Sequence, residues 1–91
     1  MTTVALVDDE PLFTAGLAMI IDSQEDLEVI WQADSGILAL ERQQRNPADV
    51  ILMDIQMPVL DGLETTAELI ARGLPGRVMV LTTFDTDDHV L

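Results

Sequence analysis

The strongest constraint on this 91-residue chain is a repeated local pattern. Short runs of apolar, strand-forming residues stop abruptly at acids or threonines, and each is followed by a segment with helical spacing. Val4-Ala5-Leu6-Val7 runs into Asp8-Asp9-Glu10, Val50-Ile51-Leu52-Met53 into Asp54, and Val78-Met79-Val80-Leu81 into Thr82-Thr83. A continuously apolar strand is buried on both faces, which is the situation in a parallel sheet flanked by helices. Strict alternation of strand and helix then predicts an α/β open parallel sheet with helices on both faces. Such sheets bind ligands at the carboxyl ends of their strands, near the topological switch point. The polar endings of the apolar runs fall there.

The segments between these runs complete the pattern. Pro11 suits the first turn of a helix reaching about Asp22, on which Leu12, Phe13, Gly16, Leu17, Ile20 and Ile21 recur at helical spacing. Leu27, Val29, Trp31 and Ala33 alternate with Glu28, Ile30, Gln32 and Asp34, which predicts a half-exposed edge strand. Ser35 can cap a helix carrying Ile37, Leu38, Leu40 and Glu41, ended by Asn46-Pro47. Gln56 to Gly62 reads as a loop in which Asp61-Gly62 is a turn and helix-capping pair. Leu63, Ala67, Leu69 and Ile70 mark a third helix ending at Gly73-Leu74-Pro75-Gly76. Phe84 to Leu91 reads as a loop and the first turn of another helix. No linker or repeat interrupts the series, so a single unit is expected.

Charge narrows the function classes. Seventeen acidic residues against four arginines give a formal net charge of -13. A phosphate backbone is repelled by such a surface, and Phe13, Trp31 and Phe84 are too scattered to form a base-stacking platform. Direct nucleic-acid binding is therefore not expected. The 48% apolar content argues against disorder. The longest apolar run, Ala15 to Ile21, is far short of the ~20 residues that span a bilayer, so a soluble, cytoplasmic protein without membrane contact is expected. With no cysteine, neither disulfides nor thiolate metal sites are available.

If the first and third strands are neighbours, Asp8, Asp9 and Asp54 meet in one pocket. Two unit charges ~4 Å apart at an effective dielectric near 20 repel by about 4 kcal/mol, so the cluster calls for a counter-ion or a raised pKa. Ligands that are all oxygen point to magnesium or a similar hard ion. Magnesium held by carboxylates ordinarily serves a phosphoryl group. For any one of these acids, a solvated strand end is the simpler explanation; an adjacent pair plus a third, each after an apolar strand, is harder to explain that way. The first strand-to-helix turn has neither G-x-G-x-x-G nor a Walker lysine. His89 lies alone among acids near the C-terminal end, and no Ser-His-Asp or Cys-His set can be assembled. Met53, Met57 and Met79 read as packing residues.

Val7-Asp8-Asp9-Glu10-Pro11, Leu52-Met53-Asp54-Ile55-Gln56-Met57-Pro58, Asp61-Gly62 and Val80-Leu81-Thr82-Thr83-Phe84-Asp85 together resemble the receiver domain of two-component response regulators. The wording is most similar to the NarL/FixJ branch, whose members carry a C-terminal LuxR-type helix-turn-helix. The resemblance implies a flavodoxin-like sheet of strand order 2-1-3-4-5, here lacking the fifth strand and fifth helix. Residues 1–91 are thus expected to be one receiver domain, incomplete at its C-terminus, with no DNA-binding domain. By the same resemblance Asp54 is the phosphoacceptor, Asp9 a direct magnesium ligand, Asp8 a support acting through water, and the main-chain carbonyl of Gln56 a further ligand. Thr82 is the hydroxyl that senses the phosphoryl group. The implied partner is a sensor histidine kinase, DNA is reached only through the absent domain, and the role is that of a signalling phosphoacceptor, not an enzyme. The family's lysine lies at the end of the fifth strand, beyond Thr82, and this sequence contains no lysine.

Two alternatives accompany this reading. A haloacid-dehalogenase-type phosphatase also uses a strand-end Asp with magnesium, but expects an acid or Thr two residues later, where Gln56 stands. A phosphorylation-independent interaction module needs no lysine. An unpaired edge at Val78 to Leu81, or an uncovered helical face to which Leu12, Phe13, Leu17 and Ile21 contribute, predicts a homo-oligomer or strand-exchanged dimer.

Overall fold

A computed structural model of the chain describes residues 1–54 and 61–81. Strands β1 (Thr2–Val7), β2 (Leu27–Ala33), β3 (Val50–Asp54) and β4 (Arg77–Leu81) form one parallel sheet in the order β2-β1-β3-β4. Helices α1 (Pro11–Asp22), α2 (Gly36–Arg45) and α3 (Gly62–Ala71) occupy the connections. The alternation and the flavodoxin-like order are as the sequence predicts, with the most apolar runs, β1 and β3, side by side. Gln56, Met57 and Pro58 of the loop, together with Thr82, Phe84 and His89, lie outside the described residues.

Two apolar layers cover the sheet. On one face Val4 and Leu6 pack with Ala18 and Ile21 of α1. On the other, Ala5, Val7, Ile51 and Met53 pack with Ala39 and Leu40 of α2 and Leu69 of α3. Because side chains alternate across a strand, the uninterrupted run Val4 to Val7 supplies both layers at once.

Two sequence expectations need correction. The alternation of β2 predicts Leu27, Val29, Trp31 and Ala33 on one face, but Val29 pairs with Val4 and Trp31 with Ala5, so Ile30 is passed over by the register. Leu27 and Val29 accordingly join the α1 layer, whereas Trp31 and Ala33 join the other. An extra residue in one strand reverses the face of everything after it. In α1 the buried residues are Thr14, Ala18 and Ile21, while Leu12, Phe13 and Ile20 are exposed. A helix apolar all round carries little phase information, and small Ala18 lets it lie close to the sheet.

Local signals at the other helix ends behave as their chemistry dictates. The Ser35 hydroxyl accepts the Leu38 N–H at 3.2 Å, and Asp61 and Glu64 form a reciprocal capping box on α3. α3 ends in a Schellman arrangement: the Gly73 N–H donates to the Ile70 carbonyl and the Leu74 N–H to that of Leu69. Gly73 takes the left-handed conformation this needs, at φ 67°.

The entries to β3 and β4 are joined by one side chain. Gln43 of α2 is fully buried; its amide donates to the carbonyls of Ala48 at 3.0 Å and Pro75 at 2.7 Å, and its oxygen accepts the Ala48 N–H at 2.8 Å. Gly76, at φ 103°, passes so close that a Cβ there would stand 2.7 Å from both the Ala48 oxygen and the Gln43 amide nitrogen. At the start of the central strands the Asp49 carboxylate accepts the Thr3 N–H at 3.0 Å. That backbone donor, then the Thr3 hydroxyl, holds the Asp49 carboxyl below its usual range.

Replacing Gln43 by Ala removes three hydrogen bonds and strands buried backbone groups of Ala48, which is expected to cost about 2–4 kcal/mol. Urea unfolding followed by Trp31 fluorescence measures it. Asp49→Ala is expected to destabilise at neutral pH by an amount that shrinks on acidification. A lowered folded-state pKa contributes stability above the unfolded value of 3.8 and loses it as pH falls through the folded one. Thermal melts of both proteins between neutral and acid pH check the sign.

Candidate functional site

The site begins with strand register. Val7 of β1 lies beside Met53 of β3, so the next residue of β1, Asp8, and the last residue of β3, Asp54, emerge together at the carboxyl edge of the two central strands. Asp8 and Asp54 are only 6% and 5% exposed; Asp9, one residue further into the turn, is open to solvent. One carboxylate oxygen from each of Asp8, Asp9 and Asp54 lies within 4.8 Å of the others.

The turn from β1 to α1 is built to hold this geometry. Asp8 Oδ1 accepts the Glu10 N–H at 2.8 Å, closing an Asx-type turn. The Asp8 N–H donates to the Ala33 carbonyl at 3.1 Å, tying the turn to the end of β2. Pro11 then starts α1, and Thr14 donates its hydroxyl to the Pro11 carbonyl at 3.0 Å. The Thr14 and Ala33 contacts are not legible in the sequence. Nor is the Asp8–Glu10 bond, since almost any residue offers a backbone N–H two positions after an Asp. Beside Asp8 opens a crevice of about 290 Å³, bordered by Pro11, Thr14, Gln32, Asp34 and Arg42.

Burial pushes the Asp8 carboxyl above its ordinary range, and the nearby charges of Asp54 and Asp9 add to the effect, while the Glu10 N–H opposes it. Two ionised carboxylates with oxygens near the upper end of that 4.8 Å spacing repel by about 3–4 kcal/mol at an effective dielectric near 20. The donors are all hard oxygens with surplus negative charge, a set that suits a hard divalent cation and not a soft or nitrogen-seeking one. Of the residues the sequence singles out, Asp8, Asp9 and Asp54 are brought together; Gln56 and Thr82 lie outside the described residues.

The family profile described as response regulator receiver domain matches residues 4–91. The chain belongs to the response regulator receiver family. This receiver is 40% identical over 89 residues to the uncharacterized transcriptional regulatory protein YxjL of Bacillus subtilis, covering 96% of this chain and 40% of that protein. It is 32% identical to the nitrate/nitrite response regulator NarL of Escherichia coli, covering 98% and 41%. Its fold matches the signal receiver domain of the putative response regulator NarL from Mycobacterium tuberculosis with a TM-score of 0.86 at 33% identity, covering 92% of this chain and 68% of that one. These relatives place the receiver with the NarL/LuxR-type regulators, and it spans about two fifths of the length of the curated ones. Receivers of this family are signalling phosphoacceptors with an acidic, magnesium-binding pocket. Among the described residues no helix is long and apolar enough to cross a membrane.

Asp8→Asn keeps an oxygen for the Glu10 N–H while removing one of the three charges. A raised folded-state pKa contributes stability below the unfolded value of 3.8 and loses it as pH rises through the folded one. The metal-free variant is therefore expected to match wild type in acid and to exceed it at neutral pH, by on the order of 1–2 kcal/mol. Chemical unfolding in the presence of a chelator, repeated across pH, measures the difference.

Proposed function

We propose that residues 1–91 act as the phosphoacceptor unit of a NarL/LuxR-type response regulator, with Asp54 the residue that takes the phosphoryl group. The observation that carries this reading is the meeting of the Asp8, Asp9 and Asp54 carboxylates at the carboxyl edge of the sheet, in a chain of this family. Asp8, Asp9, Asp54 and the main-chain carbonyl of Gln56 are the groups that would hold magnesium, Asp9 directly and Asp8 through water. When bound, the ion supplies positive charge against the carboxylates and the oxygens of the transferring phosphoryl group.

An oxygen of the Asp54 carboxylate attacks phosphorus in a phosphohistidine of a sensor histidine kinase, or in a small acyl-phosphate donor. The bond from phosphorus to the donor breaks as the new P–O bond forms, leaving an aspartyl phosphate. Leu81 pairs with Asp54 in the β3–β4 register, and the next residue, Thr82, is assigned the hydroxyl that senses occupancy. The roles of Gln56 and Thr82 rest on the sequence motif. Phosphorylation then biases a pre-existing two-state equilibrium. The protein modifies itself and has no turnover on a separate substrate. Control of transcription belongs, in this reading, to a DNA-binding output domain, and both the kinase's catalytic part and the regulator sit in the cytoplasm. DNA contact is not assigned to residues 1–91, whose net charge is -13.

Incubation with magnesium and acetyl phosphate, followed by intact-mass measurement, is expected to add one phosphoryl group to wild type and none to Asp54→Asn or to wild type in excess chelator. Equal labelling of wild type and Asp54→Asn overturns the assignment. A folded wild-type protein that takes up no phosphoryl group favours the phosphorylation-independent interaction module instead.

A further inference from the structure

Between β2 and α2 lies a crevice of about 220 Å³ that contains none of the clustered carboxylates. Its floor is apolar, made by Ile30, Trp31 and Leu38. Ile30 and Trp31 are adjacent in sequence and in a regular strand would point to opposite faces. The register skip at Ile30 instead brings both to the α2 side, since a bulge re-aims the side chains around it. The Trp31 indole N–H donates to the Asn46 carbonyl at 3.0 Å. That bond ties the ring to the end of α2 and leaves it no polar group to offer a ligand.

The rim of the crevice is basic. Leu38, Arg42 and Arg45 follow one another on α2 at the i, i+4, i+7 spacing of one helix face. Arg45 pairs with Glu41 at 3.1 Å. The Arg42 guanidinium has neither an ion pair nor a hydrogen bond among the described residues. The chain has 17 acidic residues and only four arginines, so a guanidinium left without a carboxylate beside an apolar floor is a departure from the rest of the surface.

We infer that this crevice binds a small monocarboxylate with a ring-sized apolar body, the body on Ile30, Trp31 and Leu38 and the carboxylate on the Arg42 guanidinium. Size and charge both select this class. A cavity of about 150 Å³ accommodates benzene, so the crevice has room for one ring and a short acid. The guanidinium presents a planar fork that matches a carboxylate with two parallel hydrogen bonds. Because Glu41 already compensates Arg45, one positive charge is available, which one carboxylate satisfies. A polyacidic peptide would meet the same single guanidinium and be repelled by the chain's net charge of -13, whereas a monoanion is opposed least. The inference is independent of the phosphoacceptor reading.

Trp31 is the only tryptophan in the chain, so its emission reports from the floor of the crevice. Titration with phenylacetate is expected to change that emission saturably, with a Kd on the order of 1 mM for a ligand of this size. Phenylacetamide, which keeps the ring and loses the charge, and acetate, which keeps the charge and loses the ring, are each expected to bind at least about tenfold more weakly. Arg42→Gln, at an exposed position, is expected to keep the circular dichroism of wild type and to weaken phenylacetate binding at least about tenfold. Arg77→Gln, at the start of β4 on the far edge of the sheet, is expected to bind phenylacetate as wild type does. The inference is overturned if phenylacetate gives no saturable change up to about 20 mM, a concentration well above that expected Kd. It is equally overturned if phenylacetamide or acetate binds as tightly as phenylacetate, if folded Arg42→Gln binds as wild type does, or if Arg77→Gln loses as much affinity as Arg42→Gln.

Discussion

Pairing of β1 with β3 in the register that sets Val7 beside Met53 is the interaction on which the rest of the structure depends. It carries Asp8 and Asp54 to the same edge and, with Asp9, concentrates like charge where water is partly excluded. The balance is set by the strands themselves. Full burial of an apolar side chain such as Leu6, Ile51 or Met53 is worth about 1.5–3 kcal/mol, so a few of them outweigh a carboxylate repulsion of about 3–4 kcal/mol. The sheet can therefore hold an electrostatically unfavourable site open for a cation without losing its register.

The flanking elements serve that register in different ways. β2 contributes to both apolar layers because of the irregularity at Ile30, and its end at Ala33 receives the Asp8 N–H. An edge strand thus steadies the acidic turn from the side. α1 begins immediately after the turn, so its docking through Ala18 and Ile21 fixes where Asp9 and Glu10 leave the sheet. At the opposite edge Gln43 bonds the backbone that enters β3 and the turn that enters β4, and Gly76 permits the close passage. One buried amide does what several loop residues would otherwise have to do.

The surface divides as sharply as the core. Acidic residues are spread around most of the molecule, and two of the four arginines, Arg45 and Arg72, form exposed i,i+4 pairs with Glu41 and Glu68. Pairs of that kind contribute little to stability. The outward face of α1 is instead uncharged and apolar. Its beginning adjoins the acidic turn, so anything that covers it sits close to the site without using its carboxylates.

By itself the sequence determined the class of fold, the strand ends that carry the acids, and the caps at Ser35 and Asp61. Each is a local property: apolar runs of strand length, acids directly after them, and short polar side chains one residue before a helix. It also marked Asp8, Asp9 and Asp54 as a set, since neighbouring parallel strands leave their carboxyl ends together. Only the tertiary structure decided which side of α1 is buried, because Leu12, Leu17, Ile20 and Ile21 are equally apolar and burial depends on how closely Ala18 and Thr14 let the helix approach. It alone decided the change of face within β2, where the register must skip a residue to satisfy both layers, and the role of Gln43, whose partners lie in segments that meet only after the sheet has formed. Periodicity is written along the chain, whereas phase, register and long-range hydrogen bonds exist only between elements already packed.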